Sequence, residues 1–137
     1  MSIIKIDEFE MEEEEFRTLL NKYNVNELEW LKIVFKCIKD DDINRIINEV
    51  EDSKKDNNKV SGNGIINDSI SDKELNTLLN LIEIDLFYFS IMEINAFMER
   101  DNLKLKKYPV DQIGDLEKSI KIELKKRRKK RKKLLRI

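Results

Sequence analysis

The chain has 137 residues, enough for one domain with one modest hydrophobic core. Hydrophobic residues make up 40% of it and charged residues another 40%, against about 25% charged residues in typical soluble domains. Only three glycines and one proline are present, which argues against a many-stranded β architecture because such folds need frequent turns. We therefore expect an all-α fold, a bundle of four or five helices.

The total formal charge of −1 hides a strong asymmetry along the chain. Residues 1–114 include 25 acidic and 15 basic residues, for a net charge of −10, whereas residues 115–137 include 3 acidic and 12 basic residues, for a net charge of +9. This division predicts two parts. The first is an acidic helical domain over residues 1–114 with a flexible loop at about 51–72, and the second is a basic, projecting C-terminal helix over residues 115–137.

The N-terminal composition and the cysteine content point to the cytoplasm. Cys37 is the only cysteine, so no intramolecular disulfide can form. The stretch from Met1 to Glu15 is acidic, whereas a signal peptide needs a basic start and an apolar core. The most apolar region, from Leu75 to Met98, is interrupted by three acidic residues, which are costly in hydrocarbon. We expect a cytoplasmic protein without a membrane span.

Helical spacing of apolar residues predicts three helices before residue 51. The first covers residues 11–23, and its acidic start matches the positive end of the helix dipole, although it could also dock a basic partner. A second helix begins at Asn26, which stands in capping-box spacing with Glu29. Three consecutive aspartates then interrupt the pattern, and a short helix over residues 43–50 follows.

A long loop and a long helix are predicted next. Residues 51–72 are rich in Ser, Asn and Asp and hold two of the three glycines, which is typical of a flexible loop; a small hairpin turning at Asn63-Gly64 is the alternative. Ser71 then begins the clearest helix, with Glu74 in capping-box spacing. The helix over residues 71–100 is apolar nearly all round, so we expect it in the core or in an oligomer contact. Its predicted water-facing strip consists of Glu83, Asp85 and Glu93.

The last predicted helix carries the basic residues. Tyr108-Pro109 breaks the chain, and Asp111 or Asp115 can cap the helix that follows. Its apolar stripe, which we expect to pack on the body, consists of Leu116, Ile120 and Leu124. Nine consecutive basic residues come next: Lys125, Lys126, Arg127, Arg128, Lys129, Lys130, Arg131, Lys132 and Lys133. The second half of this helix is therefore basic on every face and predicts a phosphate-binding element.

Most catalytic and cofactor chemistry is excluded by composition. The chain has no histidine, a single cysteine and no glycine-rich phosphate loop. We expect no enzyme activity, no catalytic residue, no metal and no cofactor. The cluster Asp40-Asp41-Asp42 keeps a carboxylate-dependent metal enzyme open as an alternative, although three acids at a helix boundary are more typical of a cap and a solvated turn.

Nucleic acid is the partner that the basic run favours, because lysines and arginines that neutralise phosphates release counterions. The run has no aromatic residue for stacking and no Asn or Gln for base edges, so we expect little sequence specificity. Two alternatives remain. The basic helix could dock on an acidic protein surface, in this chain or in another subunit, without any nucleic-acid contact. It could also bind an anionic membrane surface through Leu134, Leu135 and Ile137 beside the charges.

The layout is similar to the helical domain of archaeal GINS subunits, which are scaffold proteins of the replication fork. The similarity spans about residues 5–135 and consists of an acidic helical first half, a variable linker and a long apolar helix. Family helices carry a leucine-rich stretch that ends in Arg-x-x-Lys and an aliphatic residue, which Leu124, Arg127, Lys130 and Leu134 match here. The resemblance implies a non-catalytic subunit that bridges the replicative helicase and other proteins of the replication fork. Many members add a small β domain, for which this chain shows neither a strand pattern nor spare length. We expect protein subunits as partners, in a homo- or hetero-oligomer.

Overall fold

A computed structural model describes residues 2–55, 64–99 and 107–135. Within these residues the protein is mostly helical, with five α-helices and one two-stranded antiparallel sheet. The elements in chain order are β1 (Ile3–Ile6), β2 (Phe9–Glu12), α1 (Glu13–Asn21), α2 (Val25–Val34), α3 (Asp41–Lys55), α4 (Asp72–Glu99) and α5 (Val110–Leu135). The expected helical character is confirmed, but the expectation of an all-α fold is wrong because of the sheet.

The N-terminal hairpin is the element that the sequence prediction missed. Ile4 pairs with Met11 and Ile6 with Phe9 across the two strands, and a two-residue turn that contains Asp7 joins them. Apolar residues that face the core alternate with exposed residues along both strands, as in a half-buried sheet. The helix predicted over 11–23 therefore begins two residues later in the structure, at Glu13, because Met11 belongs to the strand.

Side-chain caps define the starts of α2 and α3. The Asn24 side chain accepts a hydrogen bond from the Glu27 N–H at 2.8 Å, and the Glu27 carboxylate accepts one from the Asn24 N–H at 3.0 Å. This capping box replaces the predicted one at Asn26 and Glu29, which lies two residues too far along the chain. Asp40 caps α3 by accepting from the Ile43 N–H at 3.0 Å.

The predicted loop over 51–72 is shorter at its start, because α3 continues to Lys55. The alternative turn at Asn63-Gly64 lies partly outside the described residues. From Gly64 onward the loop packs on the body: Ile70 is fully buried, and the Tyr23 hydroxyl donates to the Ile65 carbonyl at 2.7 Å. The second half of the loop is thus a packed connection to α4.

Helices α4 and α5 pack against each other in antiparallel orientation. Lys121 lies 3.7 Å from Glu83, whereas Arg127, later in α5, lies 3.0 Å from Asp72, earlier in α4. Helix α2 packs on α3, and α1 on α3 and β2. Within the described residues no helix combines the length and the apolar character needed to cross a bilayer.

Tyr108 connects the start of α5 to the core. Its ring stacks on that of Phe89 with centroids 4.6 Å apart, and its hydroxyl donates to the Val34 carbonyl at 3.0 Å. Asp111 and Asp115, the predicted caps, both lie inside α5, so neither is its N-cap. The break that Tyr108 and the following proline predict is in the expected place.

The core draws on every element. Its buried hydrophobic residues include Ile4, Met11, Phe16, Leu20, Tyr23, Leu28, Leu31, Phe35, Ile43, Ile47, Leu75, Leu78, Ile82, Phe89, Ile113 and Ile120. Asp85 is also fully buried and accepts a hydrogen bond from the Cys37 N–H at 3.0 Å. Its predicted place on a water-facing strip is therefore wrong, whereas Glu83 and Glu93 on the same helix are exposed.

Candidate nucleic-acid interface

The nine basic residues occupy the second half of α5, beyond the part of that helix that packs on the body. The apolar stripe of α5 is buried at Ile113, Ile120 and Leu124, and Leu116 is half-buried. Between Lys125 and Leu135, Arg127 is half-buried and every other residue is exposed. Most of the run therefore lies in solvent, on a helix whose first half is anchored by apolar packing.

Arg127 is the basic residue that ties the run to the body. Its side chain is 19% exposed. It lies 3.0 Å from the carboxylates of Asp72 and Glu123 and donates to the carbonyl of Ile70 at 2.6 Å and to that of Asn67 at 3.1 Å. Burial alone would lower the pKa of Arg127, but its hydrogen bonds to the two carboxylates outweigh burial and raise it. Arg127 is thus a positioning residue for α5, with most of its donors used inside the protein.

Arg131 shares the same carboxylate from one helical turn further on. Its guanidinium lies 2.8 Å from the second oxygen of Asp72, and its side chain is mostly exposed. Asp72 is the first residue of α4, where the positive end of the helix dipole also favours a negative charge. The structure therefore places two of the nine predicted phosphate-binding residues on an internal anion.

The other seven basic residues have exposed side chains, and no acidic group within the described ranges lies at ion-pair distance from any of them. They are Lys125, Lys126, Arg128, Lys129, Lys130, Lys132 and Lys133. Seven positive charges thus remain available to an external anion.

Helical geometry groups five of these cations on one side. With about 100° of rotation per residue, Arg127, Arg131 and Leu124 mark the face that lies on the body. We call the five lysines nearest to the opposite direction the lysine face: Lys125, Lys126, Lys129, Lys132 and Lys133. They span eight residue steps, or about 12 Å of helix, a length over which duplex DNA carries about seven phosphate charges.

Several basic residues of the body differ from most of those in the run because they form ion pairs. Several of them pair with acidic side chains, mostly on other elements. These pairs join Lys22 to Glu74, Lys32 to Glu51, Lys73 to Glu15, and both Arg17 and Arg45 to Glu13 and Glu49. Within the described residues, acidic side chains thus pair with several cations of the body, whereas seven of the nine residues of the basic run have no ion pair.

Sequence reasoning selected the basic run but missed the residues that orient it. The contact of Arg127 with Asp72 joins positions 55 residues apart, and the carbonyls of Ile70 and Asn67 are backbone groups that carry no sequence signal. The predicted capping box at Ser71 is confirmed, since the Glu74 N–H donates to the Ser71 hydroxyl at 3.1 Å and the Ser71 N–H donates to the Glu74 carboxylate at 2.9 Å. That cap locates the start of α4, and hence Asp72, beside α5.

Asp85 and Cys37 form a second polar site, buried between α4 and the turn after α2. Burial raises the pKa of Asp85 to about 7, against the effect of the backbone hydrogen bonds that the carboxylate accepts. Burial and the nearby Asp85 charge raise the pKa of the Cys37 thiol to about 11. The buried Asp85 carboxylate thus orders the backbone of this turn by accepting the Cys37 N–H, and the Cys37 thiol stays protonated near neutral pH.

Two residues of the cluster Asp40-Asp41-Asp42, which suggested a metal enzyme as an alternative, make structural contacts. Asp40 caps α3, and Asp42 lies 3.3 Å from the guanidinium of Arg45. Within residues 2–55, 64–99 and 107–135, no three Cys, Asp or Glu side chains are grouped so that they could hold a metal ion.

Comparisons with known proteins give no further information about this site. No protein family, curated protein or solved structure matches the chain. The basic half of α5 is therefore defined by its charge, exposure and anchoring alone.

Proposed function

We propose that the protein is a non-enzymatic scaffold or accessory subunit of a nucleic-acid machine, and that it binds the phosphate backbone through the lysine face of α5. The body, a small helical bundle with an added hairpin, holds this helix and offers surfaces to protein subunits. A role in DNA replication, as the similarity to GINS subunits implies, is part of the same proposal.

The observation that carries the proposal is that the lysine face has no ion pair with any described residue. Ion pairs form in several parts of this acidic protein, yet Lys125, Lys129 and Lys132 have no acidic partner among the described residues. Phosphate groups spaced along a nucleic acid can neutralise such a row, and the release of their counterions stabilises the complex. Contacts of this kind recognise the backbone and carry no base sequence.

A purely protein-binding role is the second candidate, and the contact of Arg127 and Arg131 with Asp72 favours it. This contact shows that the basic run accepts a protein carboxylate as a partner. An acidic protein surface could cover the lysine face in the same way, without any nucleic acid. The two candidates differ in the anion that binds, so a direct binding assay separates them.

The test compares the wild-type chain with the triple variant Lys125→Gln/Lys129→Gln/Lys132→Gln in binding to a duplex DNA and to a single-stranded RNA of mixed sequence. All three side chains are exposed, so the fold should be retained, as circular dichroism can verify. We expect the variant to bind at least about tenfold more weakly at low salt, and the log–log salt dependence to become shallower by about one for each lysine removed.

A matched control variant carries the same loss of charge elsewhere. Lys5→Gln/Lys36→Gln/Lys39→Gln removes three exposed lysines from the body and should bind nucleic acid as the wild type does. Equal weakening by both variants would show that net charge alone governs binding and would contradict a site on α5. Binding of a polyglutamate peptide by a protein that binds neither DNA nor RNA would favour the protein-binding candidate instead.

A further inference from the structure

The second half of α4 presents a row of large apolar side chains to solvent. Phe87, Ile91, Ile94, Phe97 and Met98 are between 39% and 84% exposed, and we call them the α4 stripe. Four of them follow one another at spacings of four, three and four residues, the spacing at which one helix packs along another. The stripe lies on the side of α4 opposite Leu75, Leu78 and Ile82, which the first half of the helix buries in the core, so it is an apolar face that the described residues leave uncovered.

The stripe is large enough for a specific interface. From the exposed fractions and the usual sizes of these side chains, it presents about 600 Å² of apolar surface. This area equals the upper end of the largest apolar patch on a typical monomer, about 300–600 Å². Two such stripes placed face to face would bury at most about 1,200 Å² in total, which is comparable with the roughly 1,000 Å² expected of a biological interface.

The residues that flank the stripe favour a second copy of the same chain. Tyr88, Ser90 and Asn95, which border the middle of the stripe on its two sides, are uncharged, and Glu93 lies on another face of the helix. Three acidic residues, Asp7, Glu8 and Glu83, lie at the Phe87 end of the stripe. The central parts of two identical stripes can therefore meet without like charges across the contact, which is the condition for a self-complementary two-fold interface.

The hairpin favours an antiparallel arrangement of the two copies. Its turn lies beside the start of the stripe, where the Tyr88 hydroxyl donates to the Asp7 carboxylate at 2.7 Å. In a parallel pair the two acidic turns, each with Asp7 and Glu8, would lie at the same level and repel each other. In an antiparallel pair they lie at opposite ends, and Phe87 of one copy faces the Met98 end of the other.

A cavity beside Phe87 suits this antiparallel arrangement. It has a volume of about 480 Å³ and lies between the hairpin and α4, with apolar lining residues Ile6, Phe9, Ile84 and Phe87 and polar lining residues Asp7, Glu8, Asn80 and Glu83. In the antiparallel arrangement the partner's Phe97 and Met98 reach this end of the stripe. The partner's side chains can thus contact the apolar part of this cavity, while its carboxylates stay in solvent.

We propose that the protein forms a homodimer in which the α4 stripes of two copies pack antiparallel about a two-fold axis between Ile91 and Ile94. The central contacts are between Ile91 of each copy and Ile94 of the other. This interface is separate from the lysine face of α5 and does not depend on nucleic-acid binding.

The first experiment measures the mass of the full chain in solution by sedimentation equilibrium, without nucleic acid. The wild type should be dimeric at about 100 µM, since interfaces of this kind have dissociation constants in the micromolar range or below. Ile94→Glu should weaken dimerisation by about 30-fold or more, because each copy would bury a carboxylate without a partner. A monomeric wild type would overturn the proposal and leave the stripe to another protein or to the chain's own residues 100–106.

Ile122→Glu is the matched control, since Ile122 is a 55% exposed isoleucine on α5, away from the stripe. It should leave the dimer unchanged. A dimer that persists in Ile94→Glu, or one that dissociates equally in Ile122→Glu, would contradict the stripe as the interface. Circular dichroism of both variants checks that the fold is retained.

Disulfide trapping tests the orientation of the helices. In the antiparallel arrangement, Phe87→Cys combined with Met98→Cys should form a covalent dimer on mild oxidation, whereas Met98→Cys alone should not. The wild type, whose only cysteine is buried, serves as the background. Efficient crosslinking of Met98→Cys alone would contradict the antiparallel dimer.

Discussion

The guanidinium of Arg127 lies 3.0 Å from the carboxylate of Asp72, so that a residue of the basic run holds its own helix against the first turn of α4. Arg131 binds the other oxygen of the same carboxylate. Together they fix the rotation of α5 about its axis, and this rotation directs the lysine face away from the acidic body. The run thus contains both an internal anchor and an exposed group of lysines, the surface that we propose to bind phosphate.

Arg127 should contribute to stability far more than its neighbour Arg128. Arg127→Gln removes hydrogen bonds to two carboxylates and two carbonyls and should lower the free energy of unfolding by about 1–3 kcal/mol. Arg128→Gln removes an exposed charge without a described partner and should change it by less than about 0.5 kcal/mol. Urea denaturation measures both, and equal effects would show that Arg127 is not an anchor.

Asp85 should make the protein less stable as the pH rises. Its pKa is about 7 in the folded protein and about 4 in the unfolded chain, so between these values the folded state binds the extra proton. Asp85 therefore makes its full contribution to the free energy of unfolding below about pH 4. This contribution is lost as the pH rises to about 7, and its size is on the order of 2–4 kcal/mol.

Asp85→Asn isolates this effect because an amide does not titrate in this range. The free energy of unfolding of both proteins is measured by urea denaturation at about pH 5 and at about pH 8. Between these values the wild type should lose stability relative to Asp85→Asn. Glu83→Gln, an exposed carboxylate on the same helix, is the control and should show no such shift. A pH-independent difference for Asp85→Asn would contradict the raised pKa.

Cys37 should be unreactive in the folded protein. The thiol is buried, and its pKa of about 11 leaves almost no thiolate near neutral pH. A thiol reagent such as 5,5′-dithiobis(2-nitrobenzoic acid) should modify it slowly at about pH 8 and rapidly once urea unfolds the chain. Rapid modification without denaturant would show that the turn after α2 opens easily.

The position of the α2 cap can be tested with two asparagines of the same segment. Asn24→Ala removes the capping-box acceptor and should lower the free energy of unfolding by about 1 kcal/mol. Asn26→Ala changes an exposed residue inside the helix and should be neutral or slightly stabilising, because alanine has the higher helix propensity. Thermal unfolding compares them, and the reverse order would place the cap at Asn26.

Much of the helical framework could be predicted because its signals are local. The capping box of Ser71 and Glu74, the break at Tyr108-Pro109 and the apolar stripe of α5 each lie within a few residues of chain, and all three are present in the structure. The basic run is local as well, since nine adjacent charges are visible without any fold.

What the sequence did not reveal depends on distant contacts or on overlapping patterns. Met11 fits both the alternation of a strand and the spacing of the helix that follows, and only its pairing with Ile4 decides between them. Asp85 is buried because α4 passes the turn at Cys37, a contact across 48 positions. The partner of Arg127 is likewise set by how α4 and α5 pack.

The most direct test of phosphate binding by the lysine face is a titration of the wild-type protein with duplex DNA at a series of salt concentrations. Five phosphate contacts should give a slope of about −4.5 in a plot of log binding constant against log salt concentration. DNAs of unrelated sequence should give nearly the same line. Absence of binding at about 50 mM salt, or binding that hardly changes with salt, would contradict the assignment.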